Sequence, residues 1–243
     1  LIFPASDFIF DMPPIVSRAR RVLIKPSAAY PLPYPVTTSA DMLGSIISSI
    51  RRVSDADILI LEGTPEGVPT QPIYEALGYN FPRVLTLDVK DCTFVEVDNP
   101  LPKPFAVPTF WVPNVVLSSD YLITVAPLKT FNGSGGFTIM NLLSLLPSSK
   151  YHTEAPGGWE SLYNLGIDRV LADLYFTLPF DLGIVEARQK FTFTNDPTQG
   201  TIEEYDKIFV DEPYEVDREV AAALGLKVDY LDLIKVAKVE LGA

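Results

Sequence analysis

One cysteine and one histidine stand in 243 residues, and these two scarcities remove whole classes of chemistry. With Cys92 alone, the chain forms no internal disulfide and cannot by itself ligate a cysteine-bound iron–sulfur cluster. With His152 alone, a multi-histidine metal site is excluded, and a Ser-His-Asp arrangement would have to use that residue. No G-x-S-x-G elbow is present, and neither is a Walker-type phosphate loop or a G-x-G-x-x-G turn. Positive charge is also scarce. Nineteen Lys and Arg oppose 31 Asp and Glu, a net charge of −12, which argues against nucleic acid because phosphate binding needs clustered cations. The excess acid reads as solubility, and an anionic ligand is then expected only where local cations override the field. No run approaches the roughly 18 apolar residues of a membrane span, so no membrane partner is expected. Cytoplasm is the expected compartment. Leu1 is not an expected initiator, which leaves an upstream targeting segment open.

What is present is an α/β pattern. RRVLIK (20–25) reads as a short strand, and the four prolines of 26–36 dictate an extended loop. Residues 37–53 place Met42, Leu43, Ile46, Ile47 and Ile50 at helical spacing behind Ser39 as N-cap. DILILEG (57–63) reads as a buried strand, and this strand-loop-helix-strand order begins a parallel pair. A helix follows at 69–79, with strands near 83–89, 93–98 and 121–127. A helix apolar on nearly all sides is expected at 137–146 and an amphipathic one at 159–176. Strands at 178–187 and 205–210 precede a helix at 214–226. With no repeat and no domain-scale linker, residues 1–243 read as a single α/β domain whose mixed, largely parallel central sheet is flanked by helices.

The stretch LKTFNGSGGFT carries the most chemistry. Lys129 is expected just beyond a strand, and Gly133, Gly135 and Gly136 ahead of a helix whose first N–H groups lack intrahelical partners. Together these make an anion site, or else a glycine-rich connection with a solvated lysine. Lys25 at one strand end and Glu62 at another occupy the edge where open α/β sheets bind ligands, or are simply exposed. Thr38 offers a hydroxyl to the same ligand or helps cap the following helix. The acidic segment 203–217 reads as a solvated face.

The ordered series IKPS (24–27), TTS (37–39), LEG (61–63), SSDYLITVAPLKT (118–130), TIMNLLSLLP (138–147), His152 and VDEPYEVDREVAAALGL (210–226) resembles the domain of unknown function 362 family. That is a prokaryotic family whose members are often fused to ferredoxin-like iron–sulfur modules. The resemblance covers most of the chain. The family pattern has Lys-Pro-Asn where this chain has Ser27, Lys-Thr-His where it has Phe131, and Lys-Asn where Met140 precedes Asn141. It implies an enzyme-like pocket for a small anionic metabolite or phosphate-bearing ligand. Lys25, Ser27, Thr38, the three glycines, Thr138, Asn141 and Asp217 would bind it, and Lys129, Glu62 and His152 would be catalytic, with His152 carrying the proton. Asp217 matches a family aspartate at the start of the last helix, where the dipole also favours it. The two apolar replacements keep a non-catalytic ligand- or partner-binding relative open as the alternative. A redox partner follows from family analogy alone. The residues do not identify a cofactor.

Overall fold

The computed structural model describes residues 1–153 and 158–242. After a short opening strand, β1 (Ile2–Pro4), the chain enters the sheet at β2 (Arg21–Lys25), where Val22, Leu23 and Ile24 are all fully buried. Burial of consecutive residues is what a parallel strand covered on both faces requires. Helix α1 (Ala40–Val53) begins where Ser39 predicts, its hydroxyl accepting from the Met42 N–H. Its apolar stripe packs onto Val22, Ile24, Ile58 and Ile60. β3 (Asp57–Glu62), α2 (Gln71–Leu77) and β4 (Val84–Asp88) complete one half of the parallel sheet. A separate antiparallel hairpin, β5 (Phe94–Asp98) and β6 (Thr109–Pro113), then leads through the one-turn helix α3 (Asn114–Leu117) back to the sheet.

The second half opens with β7 (Tyr121–Phe131), which turns back into the two-residue β8 (Ser134–Gly135). Four short helical pieces follow: α4 (Thr138–Asn141), a 3-10 turn (Leu142–Leu145), α5 (Ser148–Tyr151) and α6 (Glu160–Tyr163). Then come α7 (Ile167–Thr177), the long strands β9 (Leu182–Phe193) and β10 (Gly200–Asp211), and α8 (Pro213–Leu224) and α9 (Asp229–Leu241). The strand order is β1-β10-β9-β7-β2-β3-β4, with β8 beside β7. The five strands β9, β7, β2, β3 and β4 are mutually parallel; β10 and β1 add an antiparallel edge. From β2 the chain winds outward through β3 and β4, then returns to the other side of β2 with β7 and β9. The order therefore reverses between β2 and β7, the place where an open sheet leaves a crevice at its carboxyl ends. Among the described residues no helix is long and apolar enough to cross a membrane.

The expected single α/β domain with a mixed, largely parallel sheet is what the chain forms, and several boundaries move. Lys129 lies inside β7 rather than beyond a strand, because β7 continues to Phe131. The run 137–146 is one turn of α-helix followed by 3-10 winding; its leucines are apolar all round because Leu142, Leu143, Leu145 and Leu146 are all buried. The expected helix over 159–176 breaks at Gly166, whose φ of 92° lies outside helical geometry. β1, β6 and α9 were not legible in the pattern. Neither was the full length of the β9–β10 hairpin, where polar residues on an exposed edge hide the alternation.

Asp173 on α7 is fully buried and anchors the loop between β5 and β6. It accepts hydrogen bonds from the Phe105, Ala106 and Val107 N–H groups and from the Asn99 side chain, all between 2.7 and 2.9 Å. Removing it would leave those donors without an acceptor in a dry interior. Asp173→Ala is therefore expected to cost about 3–5 kcal/mol in urea unfolding; a loss under about 1 kcal/mol would show that water replaces the carboxylate.

Candidate functional site

At the carboxyl ends of β2 and β3, a buried ion pair organises the crevice. Lys25 Nζ lies 2.7 Å from Glu62 Oε1, and both side chains are sealed from solvent. The remaining Lys25 hydrogens go to the Pro26 carbonyl at 2.6 Å and to Asn141 Oδ1 at 3.3 Å, so all three donors are spent inside the protein. Glu62 is equally occupied. Oε1 also accepts from the Gly63 N–H and the Ser144 hydroxyl, and Oε2 from the Ala28 N–H at 2.6 Å. Burial lowers the Lys25 pKa, and the Glu62 charge partly offsets that. Gly63 is required next to it: a Cβ there would stand 2.5 Å from the Ser144 carbonyl oxygen. Neither charged group is exposed, as an isolated strand-end residue would be.

The loop after β2 is pinned at four points. Thr38 accepts from the Ser27 N–H at 2.9 Å and donates to the Val125 carbonyl on β7. The Tyr34 hydroxyl accepts from the Gln189 N–H where β9 bulges against β7. Glu186, fully buried on β9, holds Ser39 through its hydroxyl at 2.6 Å and its N–H at 3.0 Å. With the Ala28 contact, these fix Ser27 and the Val36 carbonyl in front of β7. Lys129 meets both: its Nζ is 3.5 Å from Ser27 Oγ and 3.2 Å from the Val36 oxygen. Among the described residues no carboxylate lies within ion-pairing distance of it. Burial pushes its pKa down to about 8; the Glu62 charge works against that fall, and the Lys25 charge adds to it.

Lys129 and Ser27 line a cleft of about 160 Å³, with Phe137, Met140, Trp159 and Tyr163 forming much of the wall. Gly136, Asn141 and Ser144 also reach it. Of the other expected site residues, Gly133 is the exposed corner of the β7–β8 hairpin at φ 76° and lies away from the cleft. Gly135 is buried in β8 against the Phe137 ring. Thr138 is buried and bound to Asp217. The helix start expected to face a ligand is already filled: Asp217 accepts from the Thr138 and Ile139 N–H groups at 2.8 and 3.0 Å, from the Thr138 hydroxyl, and from Tyr230. Asp217 also lies on α8, with α9 beyond it, so it is not at the start of the last helix. His152 is exposed at the end of α5 and is not among the cleft-lining residues. Among the described residues no group of three or more His, Cys, Asp or Glu is arranged to hold a metal ion.

The model of the family described as Domain of unknown function (DUF362) matches residues 22–222, which include Lys25, Glu62, Lys129 and Asp217. The chain belongs to this family. Among solved structures, this DUF362 chain is similar to the lactate racemase apoprotein from Thermoanaerobacterium thermosaccharolyticum. The TM-score is 0.55 at 13% identity, over 90% of this chain and 53% of that one. A likeness at that identity shows the fold, and the chain spans about half the length of that protein. No curated protein matches the sequence. Of the two apolar replacements relative to the DUF362 pattern, only Met140 lines the cleft. Phe131 stacks on Phe193 with ring centroids 5.6 Å apart. Ser144, Glu186, Trp159 and Tyr163 escaped the sequence reading, since nothing in their local pattern sets them apart from ordinary core or surface residues.

Two outcomes follow from this geometry. Breaking one half of the Lys25–Glu62 pair strands the other charge, so Glu62→Gln and Lys25→Met are each expected to cost about 3–5 kcal/mol, and the double variant clearly less than their sum; additive losses in urea unfolding would refute the coupling. Asp217 titrates at about 6, raised from 3.8 by burial and pulled back by its hydrogen bonds. The folded state then holds this proton to higher pH than the unfolded chain, so the contribution is fully present at low pH and is lost as pH rises through about 4 to 6. Relative to Asp217→Asn, the unfolding free energy of the native protein should fall across that window by up to about 3 kcal/mol; parallel curves would refute it.

Proposed function

We propose that the cleft binds a small anionic metabolite, with Lys129 as the cationic anchor and Ser27 as the adjacent donor, in an enzyme-like pocket. One observation carries this reading. Lys129 is a half-buried ammonium that lines a cleft at the sheet's switch point and lacks a carboxylate partner among the described residues. A buried cation without a counterion is costly, and an incoming anion relieves the cost. Lys25 and Glu62 serve this site from behind: they fix the β2 and β3 ends and the Ser144 turn rather than touching the ligand. Thr38 positions Ser27, and Asp217 with Thr138 holds α4, from which Met140 and Asn141 reach the cleft.

In this reading Lys129 is also the proton carrier, since an amine with a pKa of about 8 exchanges its proton near working pH. His152 is exposed outside the cleft lining and is given no part. Met140, apolar where the family pattern is polar, favours the second reading, a binding relative without turnover. Binding with no product formed from any bound anion would select that reading.

The test is calorimetric titration with carboxylates, inorganic phosphate and sugar phosphates from pH 6.5 to 9.5. Affinity should be steady below about pH 8 and fall about tenfold per unit well above it, as the ammonium loses its proton. Lys129→Met should lose at least about tenfold at pH 7. A flat pH profile, or unchanged affinity in the variant, would remove Lys129 from the site.

A further inference from the structure

We infer that the ligand is a small aromatic monocarboxylate, about the size of benzoate. The inference rests on the anion-binding reading of the cleft and adds the class of anion. The first argument is the count of free donors. Lys129 has three ammonium hydrogens, and two face the Ser27 oxygen and the Val36 carbonyl. The Ser27 hydroxyl donates to no described residue. Ser144 spends its hydroxyl on Glu62, and the Asn141 amide hydrogens go to the Lys25 carbonyl and Thr124. Among the described residues one ammonium hydrogen and one hydroxyl remain, carrying one positive charge. That set matches the two oxygens and single charge of a carboxylate. A phosphate monoester brings close to two charges and three terminal oxygens, and the α4 N–H groups that could have served it are taken by Asp217. Among the described residues Lys129 is the one cationic side chain lining the cleft, so the second charge has no partner there.

The walls and the size identify the rest of the molecule. Phe137, Met140, Trp159 and Tyr163 face a space of about 160 Å³. A cavity of about 150 Å³ is known to hold a benzene ring. Trp159 gives its indole N–H to the Leu146 carbonyl at 2.9 Å, so its contribution to the wall is hydrocarbon. Met140 next to aromatic rings suits a flat, polarisable guest, because sulfur packs favourably against ring edges. A short aliphatic acid would leave this surface unfilled, and a nucleotide or sugar phosphate exceeds both the space and the charge.

The experiment titrates the full chain at pH 7 with acetate, benzoate and inorganic phosphate, following binding by calorimetry and by ligand NMR. Benzoate should bind about thirtyfold more tightly than acetate, as burial of a ring predicts. Tyr163→Ala, at a residue 51% exposed and so tolerant of change, should weaken benzoate several-fold and leave acetate unchanged. Lys129→Met should abolish both, while Lys129→Arg retains acetate; urea unfolding of each variant checks the fold. Phosphate binding more tightly than benzoate, still dependent on Lys129, would overturn the aromatic carboxylate and leave the anion site standing. Benzoate binding that survives Lys129→Met, or no binding by any of the three at tens of millimolar, would overturn both.

Discussion

The ion pair between Lys25 and Glu62 is the constraint on which the upper edge of this molecule depends. Two opposite charges sealed from water are tolerable only when their hydrogen-bonding groups find partners, and here all three Lys25 hydrogens and both Glu62 oxygens have them. The satisfaction is what does the organising. Ala28 comes from the loop after β2 and Asn141 and Ser144 from the α4–3-10 run, and the two segments are drawn to one point because each has groups the pair needs. The loop after β2, the start of the leucine-rich 3-10 turn and the ends of two neighbouring strands are thereby fixed relative to one another. Hydrophobic packing below could hold the strands, but it would not specify this arrangement above them.

The pair also shapes the electrostatics of its neighbour. Lys129, one strand away, feels both members: the Glu62 attraction is the larger and the Lys25 repulsion offsets part of it. Its pKa falls because of burial; Glu62 pulls it back up, and the Lys25 charge cancels part of that pull. A chain carrying a strong excess of acid thus keeps Lys129 without an ion-pair partner among the described residues, while Glu62 is engaged by Lys25. Acidic surface and cationic cleft are compatible because the interior pairing takes the nearest negative charge out of play.

The parallel half of the fold was legible in the sequence because fully apolar runs such as Val22–Ile24 and Ile58–Leu61 admit few other readings. The Ser39 cap and the α1 stripe were legible for the same local reasons. The site was legible only as a set of residue types at strand ends. Lys25 and Lys129 look alike in a sequence, yet one is saturated and the other, among the described residues, has a hydrogen to spare, and that difference is decided by Glu62, Asn141 and Pro26 meeting in space. The glycines of 133–136 read as a ligand loop because a type of hairpin that needs left-handed Asn132 and Gly133 leaves the same signature. Glu186 was missed because a single acid inside a β-run gives no sign that it will face the start of a helix 147 residues earlier.

Asp217 makes the C-terminal helices part of the cleft's mechanics. Its carboxylate fastens α4 to α8, and the Tyr230 hydroxyl ties α9 into the same knot. Met140 and Asn141 therefore sit on a helix whose placement is shared with α8 and α9 through one buried carboxylate. The cleft wall and the C-terminal helices share one anchor.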